Sequence, residues 1–169
     1  MREQLDHLIQ RFADRPGEIA ILIQSKTASD VSVSLNADRQ IASASVIKAA
    51  IACTAAALAA RGDLDLQSTL ARRDLNDTFY CSILHAFDDT DEITLKTLIG
   101  LMLIVSDNPA TTAVIDAVGM NAVNDWCAAN GMADTNLSVG FDDDSLGAPL
   151  RANLTTANDC LALLKLIDT

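Results

Sequence analysis

Two short stretches hold residue types that could do chemistry: Ser45-Val46-Ile47-Lys48 and Ser106-Asp107-Asn108. In the first, a serine and a lysine stand three residues apart at the start of an alanine-rich apolar segment, Ser43 to Ala60. On a helix that starts at Ser45, residues three apart share a face, so hydroxyl and amine can meet. A free serine hydroxyl is a weak nucleophile and needs a base. An amine in apolar surroundings loses its preference for the charged form and can take up a proton. The helix N-terminus adds backbone N–H groups that could face an oxyanion. The same spacing also fits a capping serine and a lysine whose stem lies along the helix with its head in water. Taken alone, Ser106-Asp107-Asn108 reads as a helix-start turn, with a cap serine, an Asx turn and Pro109 at the first helical position.

The surrounding pattern supplies elements to carry both stretches. Leu5, Leu8, Ile9 and Phe12 fall on one face of an N-terminal helix, which Pro16-Gly17 stops. EIAILIQS, the turn-like KTASD and the alternating VSVSLNAD predict a β-hairpin over Glu18–Asn36. Beyond it, strand signal nearly vanishes. Helices are expected over Val46–Arg61, ended by Gly62; over DEITLKTLIGLMLIVS, with an acidic start; over NPATTAVIDAVG; over MNAVNDWCAANG; and over LTTANDCLALLKLI, with Thr155 or Thr156 as N-cap. Leu137 to Asn153 is a long loop with three aspartates, and loops of that length are often functional. One hairpin does not make a stable sheet alone, so its exposed edge predicts self-association or completion by another polypeptide.

Composition narrows the function classes. A net charge of −11 repels phosphates and argues against nucleic-acid binding. No apolar run is expected to reach the length of a membrane span. The charged amphipathic N-terminus does not read as a signal peptide, so the chain as written reads as cytoplasmic. Cys53, Cys81, Cys127 and Cys160 form no CxxC pair and the histidines number two, which makes a zinc site improbable; no metal or cofactor is expected. The cysteines read as reduced, small buried hydrophobes.

S-x-x-K followed by S-D-N, each at a helix boundary, is a far more specific pattern than either motif alone. IASASVIKAAI, LMLIVSDNPATTAVIDAVG and TTANDCLALLKLI resemble class A serine β-lactamases and the related penicillin-binding proteins, and the order of elements agrees along the whole chain. The resemblance implies an α+β fold. Residues 1–40 would be the N-terminal part of the α/β lobe, residues 41–169 a helical lobe, and the strands that complete the sheet would lie outside this chain. It implies Ser45 as the nucleophile that forms an acyl-enzyme, Lys48 as its activator, and Ser106 as proton relay to the leaving nitrogen. Asn108 would contact the substrate's amide side chain. Tyr80 would rim the pocket, although Phe79 and Tyr80 could equally pack. Asp107 would be structural, the backbone N–H of Ser45 an oxyanion donor, and the substrate a small β-lactam or related peptide or ester. The family is usually exported.

Two departures from the family pattern matter. No K-T-G follows Ser106, and Lys26-Thr27-Ala28 sits in the hairpin turn on the wrong side of Ser45. The missing strand would supply a cation and the second oxyanion donor, and losing one such donor costs about two to three orders of magnitude in rate. The loop NLSVGFDDDSLGAPLRAN also holds no glutamate to position a hydrolytic water. Asp142, Asp143 and Asp144 are shorter by a methylene, and position is exacting at this step. Slow deacylation is therefore expected. The competing expectation is a non-catalytic remnant or binding module that keeps the helical lobe.

Overall fold

The computed structural model describes residues 2–13, 15–27, 32–75, 82–141 and 152–168. The alanine-rich segment forms α2 (Ile47–Arg61), the helix on which the rest is assembled. Alanine has the highest helix propensity, and its small side chain lets neighbouring helices approach closely. α3 (Leu95–Ile104), α4 (Asn108–Val118) and α5 (Met120–Ala129) all pack on α2. Ile47, Ile51 and Ala55, one turn apart each, face Leu98, Met102, Val114 and Val123 in the core. Burying a side chain such as Leu98, fully enclosed here, stabilises the fold by about 1.5–3 kcal/mol. α2 stops at Gly62, whose φ of 82° is left-handed and whose N–H donates to Ala59 O, the helix ending that glycine permits.

Around this helical core lie short strands. β1 (Ile21–Gln24) and β2 (Ser32–Leu35) form the expected antiparallel hairpin, with Ile21 opposite Leu35 and Gln24 opposite Ser32. α1 (Arg2–Ala13) packs on β2, and the last helix, α6 (Ala157–Ile167), on β1. Among the described residues β1 pairs with β2 alone. Ile23 of β1 and Leu164, Leu166 and Ile167 of α6 are exposed. Lys26, in the hairpin turn, is exposed and pairs with Asp168 at 2.6 Å.

Three expectations are corrected. First, four more strands exist: β3 (Ile41–Ala42) pairs with β6 (Leu154–Thr155), and β4 (Thr69–Ala71) with β5 (Glu92–Thr94). At two or three residues each they are too short to show alternation. Glu92, Ile93 and Thr94 are thus strand rather than helix start, and Thr94 caps α3 by accepting from Thr97 N. Second, α2 does not begin at Ser45. A 3-10 turn over Ala44–Val46 precedes it. Third, the helical stretch Ala44–Arg61 spans 18 residues and is long and apolar enough to cross a membrane by length and composition. Its packing against α3, α4 and α5 is that of a core helix.

The described cysteines, Cys53, Cys127 and Cys160, are free thiols, and Cys81 lies outside the described residues. Cys127 is fully buried, while Cys53 and Cys160 are partly exposed. Burial, then Asp159, then Cys53 push the Cys127 thiol from 9.0 up to about 11. Burial also raises Cys53.

Candidate active site

Ser45 sits in the 3-10 turn that leads into α2, with its side chain at the surface. Lys48 follows in the first turn of the α-helix and is only 2% exposed. A buried ammonium needs hydrogen-bond partners, and the connection between α3 and α4 supplies them. Lys48 Nζ donates to Ser106 O at 2.8 Å, to Ser106 Oγ at 2.9 Å and to Asn108 Oδ1 at 2.8 Å. Ser106 Oγ in turn donates to Ser45 Oγ at 2.9 Å. The structure thus brings Ser45, Lys48, Ser106 and Asn108 together, with the two serines linked directly and the lysine reaching Ser45 through Ser106.

The polarity of this chain follows from the donor inventory. A charged lysine has three protons and no acceptor, so it must donate to Ser106 Oγ, leaving the Ser106 proton for Ser45. Drawing a proton away from Ser45 requires a neutral Lys48 and the reversed sequence of bonds. The same three atoms can therefore carry a proton in either direction.

Backbone strain marks the same place. Among the described residues, three that are not glycine have positive φ: Asn36, Ala44 and Ser106. Ala44, at 44°, immediately precedes Ser45, and Ser106, at 59°, is the relay. Side chains rarely adopt this conformation, and such strain concentrates where a site over-determines the backbone.

Asp107 anchors the relay rather than joining it. It is fully buried; Oδ1 accepts from Ala110 N at 2.9 Å, capping α4, and Oδ2 accepts from Ile83 N at 2.8 Å. Asn108 opens α4 with Pro109 behind it, a proline position that costs no hydrogen bond. β3 and β6 hold the approach to Ser45 against the end of the acidic loop, and Ser43 N donates to Asn153 O at 2.8 Å.

That loop is drawn in at its neck. Asn153 Oδ1 accepts from Ser138 N and Val139 N, and Asn153 Nδ2 donates to Val139 O. Ser138 Oγ donates to Ala152 O. Tyr80, Asp142, Asp143 and Asp144 lie outside the described residues. The sequence reading missed Phe141, the last described residue before them. Its ring lies over Lys48 Nζ, 4.6 Å from centroid to nitrogen. Nothing in the sequence marks one phenylalanine in a polar loop as a partner of a lysine 93 positions earlier.

A family model described as the beta-lactamase enzyme family matches residues 1–169. The chain belongs to that family. A beta-lactamase from Sphaerobacter thermophilus is 24% identical over 99% of this chain and 62% of its own, with a TM-score of 0.80. A beta-lactamase from Chitinophaga pinensis is 17% identical over 98% of this chain and 63% of its own, at 0.85. A mutant of PBP-A, solved as an acyl-enzyme complex with penicillin G, is 24% identical over 98% of this chain and 60% of its own, at 0.76. At these identities the likeness is one of fold, and the α+β architecture is that of the beta-lactamases. This chain spans about three-fifths of the length of these solved relatives. No curated protein sequence matches it.

Proposed function

We propose that this beta-lactamase-family chain carries the nucleophile and proton relay of a serine acyl-transfer hydrolase, acylated at Ser45 by a β-lactam or a related amide or ester and slow to release the acyl group. The observation that supports this most is the chain Ser45 Oγ, Ser106 Oγ, Lys48 Nζ, with both links at 2.9 Å. A positioned relay of this kind contributes about two to four orders of magnitude.

In the acylation step, neutral Lys48 takes the proton of Ser106 as Ser106 takes that of Ser45. Ser45 Oγ bonds to the carbonyl carbon, and the resulting oxyanion faces the backbone N–H of Ser45. The carbon–nitrogen bond then breaks. The leaving nitrogen collects its proton from Lys48 through Ser106. Asn108 Oδ1 is occupied by Lys48, so its Nδ2 is the atom offered to a substrate carbonyl.

Release of the acyl group needs a base that holds water against the ester. The loop between Leu137 and Asn153 contains no glutamate, and this absence supports slow deacylation. The competing reading is a non-catalytic remnant or binding module that keeps the helical lobe.

A fluorescent penicillin separates the two. The intact protein should become covalently labelled and keep the label for minutes or longer, while Ser45→Ala should not label. Absence of label in the wild type, with Ser45→Ala behaving identically, would overturn the enzyme reading and leave the remnant.

A further inference from the structure

We propose that Phe141 is a positioning residue for Lys48: its ring clamps the ammonium onto Ser106 and Asn108. The inference rests on the acyl-transfer reading above and concerns the same site. It begins from the 4.6 Å between the ring centroid and Lys48 Nζ. An aromatic face is the negative end of the ring quadrupole and attracts a cation at this separation, most strongly where water is excluded. Both partners are buried, Lys48 at 2% and Phe141 at 8% exposed.

The clamp is itself held. Phe141 N donates to Thr112 Oγ1 at 3.3 Å, which ties the start of the loop to α4, the helix that Asn108 opens. Phe141 also packs in the core cluster with residues of α2, α3 and α4. Lys48 therefore has oxygen acceptors from the α3–α4 connection and from Asn108, and an aromatic face from the loop. That ring makes direct contact with the nitrogen, so no water fits between them. A hydrolytic water would have to be held elsewhere, and Phe141 offers it no acceptor. The ring favours the charged Lys48, the form that returns a proton to the leaving nitrogen, and opposes the neutral amine that withdraws the proton of Ser45.

The test compares Phe141→Leu, which keeps an apolar side chain but has no π face, with Phe141→Tyr, which keeps the face. Three quantities are read: the acylation rate by fluorescent penicillin, the rate of label loss, and the rate at which acetic anhydride modifies Lys48, followed by peptide mass spectrometry. Phe141→Leu should speed acylation roughly 3- to 30-fold, the range a desolvated cation–π contact represents, because the ring no longer opposes the neutral amine. It should also speed label loss and raise Lys48 modification several-fold. Phe141→Tyr should return all three close to wild type.

A residue that only fills the core would give Leu and Tyr variants with the same rates, and that result would overturn the proposal. Lys48 modification does not depend on acyl transfer. If wild type never labels at Ser45 but Lys48 modification still responds to Leu and recovers with Tyr, the acyl-transfer reading has failed and the clamp stands. If Ser45 labels normally in all three proteins and Lys48 modification is unchanged, the clamp has failed and the acyl-transfer reading stands.

Discussion

Ser106 Oγ donates to Ser45 Oγ at 2.9 Å across 61 positions of sequence. That contact joins the loop after α3 to the turn before α2, and it makes Ser106 the described route between Ser45 and the buried Lys48. Replacing Ser106 with alanine removes the relay while leaving the nucleophile and the lysine. Acylation by a chromogenic β-lactam, followed by stopped flow, should fall about 10²- to 10⁴-fold. A loss below tenfold would mean that Lys48 serves Ser45 without Ser106.

Lys48→Met separates chemistry from stability. The substitution deletes three hydrogen bonds to neutral oxygens, each orphaned buried acceptor costing about 1–3 kcal/mol. It also removes the desolvation cost of a charge that is 2% exposed, which offsets part of that loss. The melting temperature should therefore move by only a few degrees while acylation disappears. A variant that unfolds outright would show that the ammonium is a net structural support.

Asp107→Ala should cost stability well beyond a surface change. It removes the cap on Ala110 N, worth about 0.5–2 kcal/mol, and strands the Ile83 N–H, worth about 1–3 kcal/mol. Urea unfolding should register a loss of about 2–4 kcal/mol, with Asp107→Asn losing less. A cost under about 1 kcal/mol would mean that the α3–α4 turn holds itself.

Cys127 gives a pH dependence with a defined sign. Its folded thiol is raised to about 11 from 9.0, so the unfolded chain ionises first. Its contribution to stability is full below about pH 9 and is lost as the pH rises from 9 to 11. Chemical unfolding across that window should show the decline in wild type and less of it in Cys127→Ala. A thiol reagent at neutral pH should reach Cys127 only after unfolding.

The helices were legible because their signals are local. Gly62 and Pro109, with a threonine ahead of α6, mark boundaries through backbone chemistry that a sequence displays directly, and Thr156 proves to be that cap, accepting from Asp159 N. Strands β3 to β6 were not legible, because two or three residues carry no period and their pairing partners are distant in sequence. The serines, Lys48 and Asn108 could be singled out because two motifs stand at helix starts. Their mutual distances could not, since these depend on α3 and α4 packing against α2. Phe141 was invisible for the same reason: its partner is fixed by tertiary structure alone.

The central claim is that Ser45 takes the acyl group. The direct measurement is peptide mass spectrometry of the intact protein after incubation with penicillin. The account predicts one adduct of the full penicillin mass, located on the peptide that contains Ser45 and absent from Ser45→Ala. An adduct on another residue, or one that survives Ser45→Ala, would contradict it.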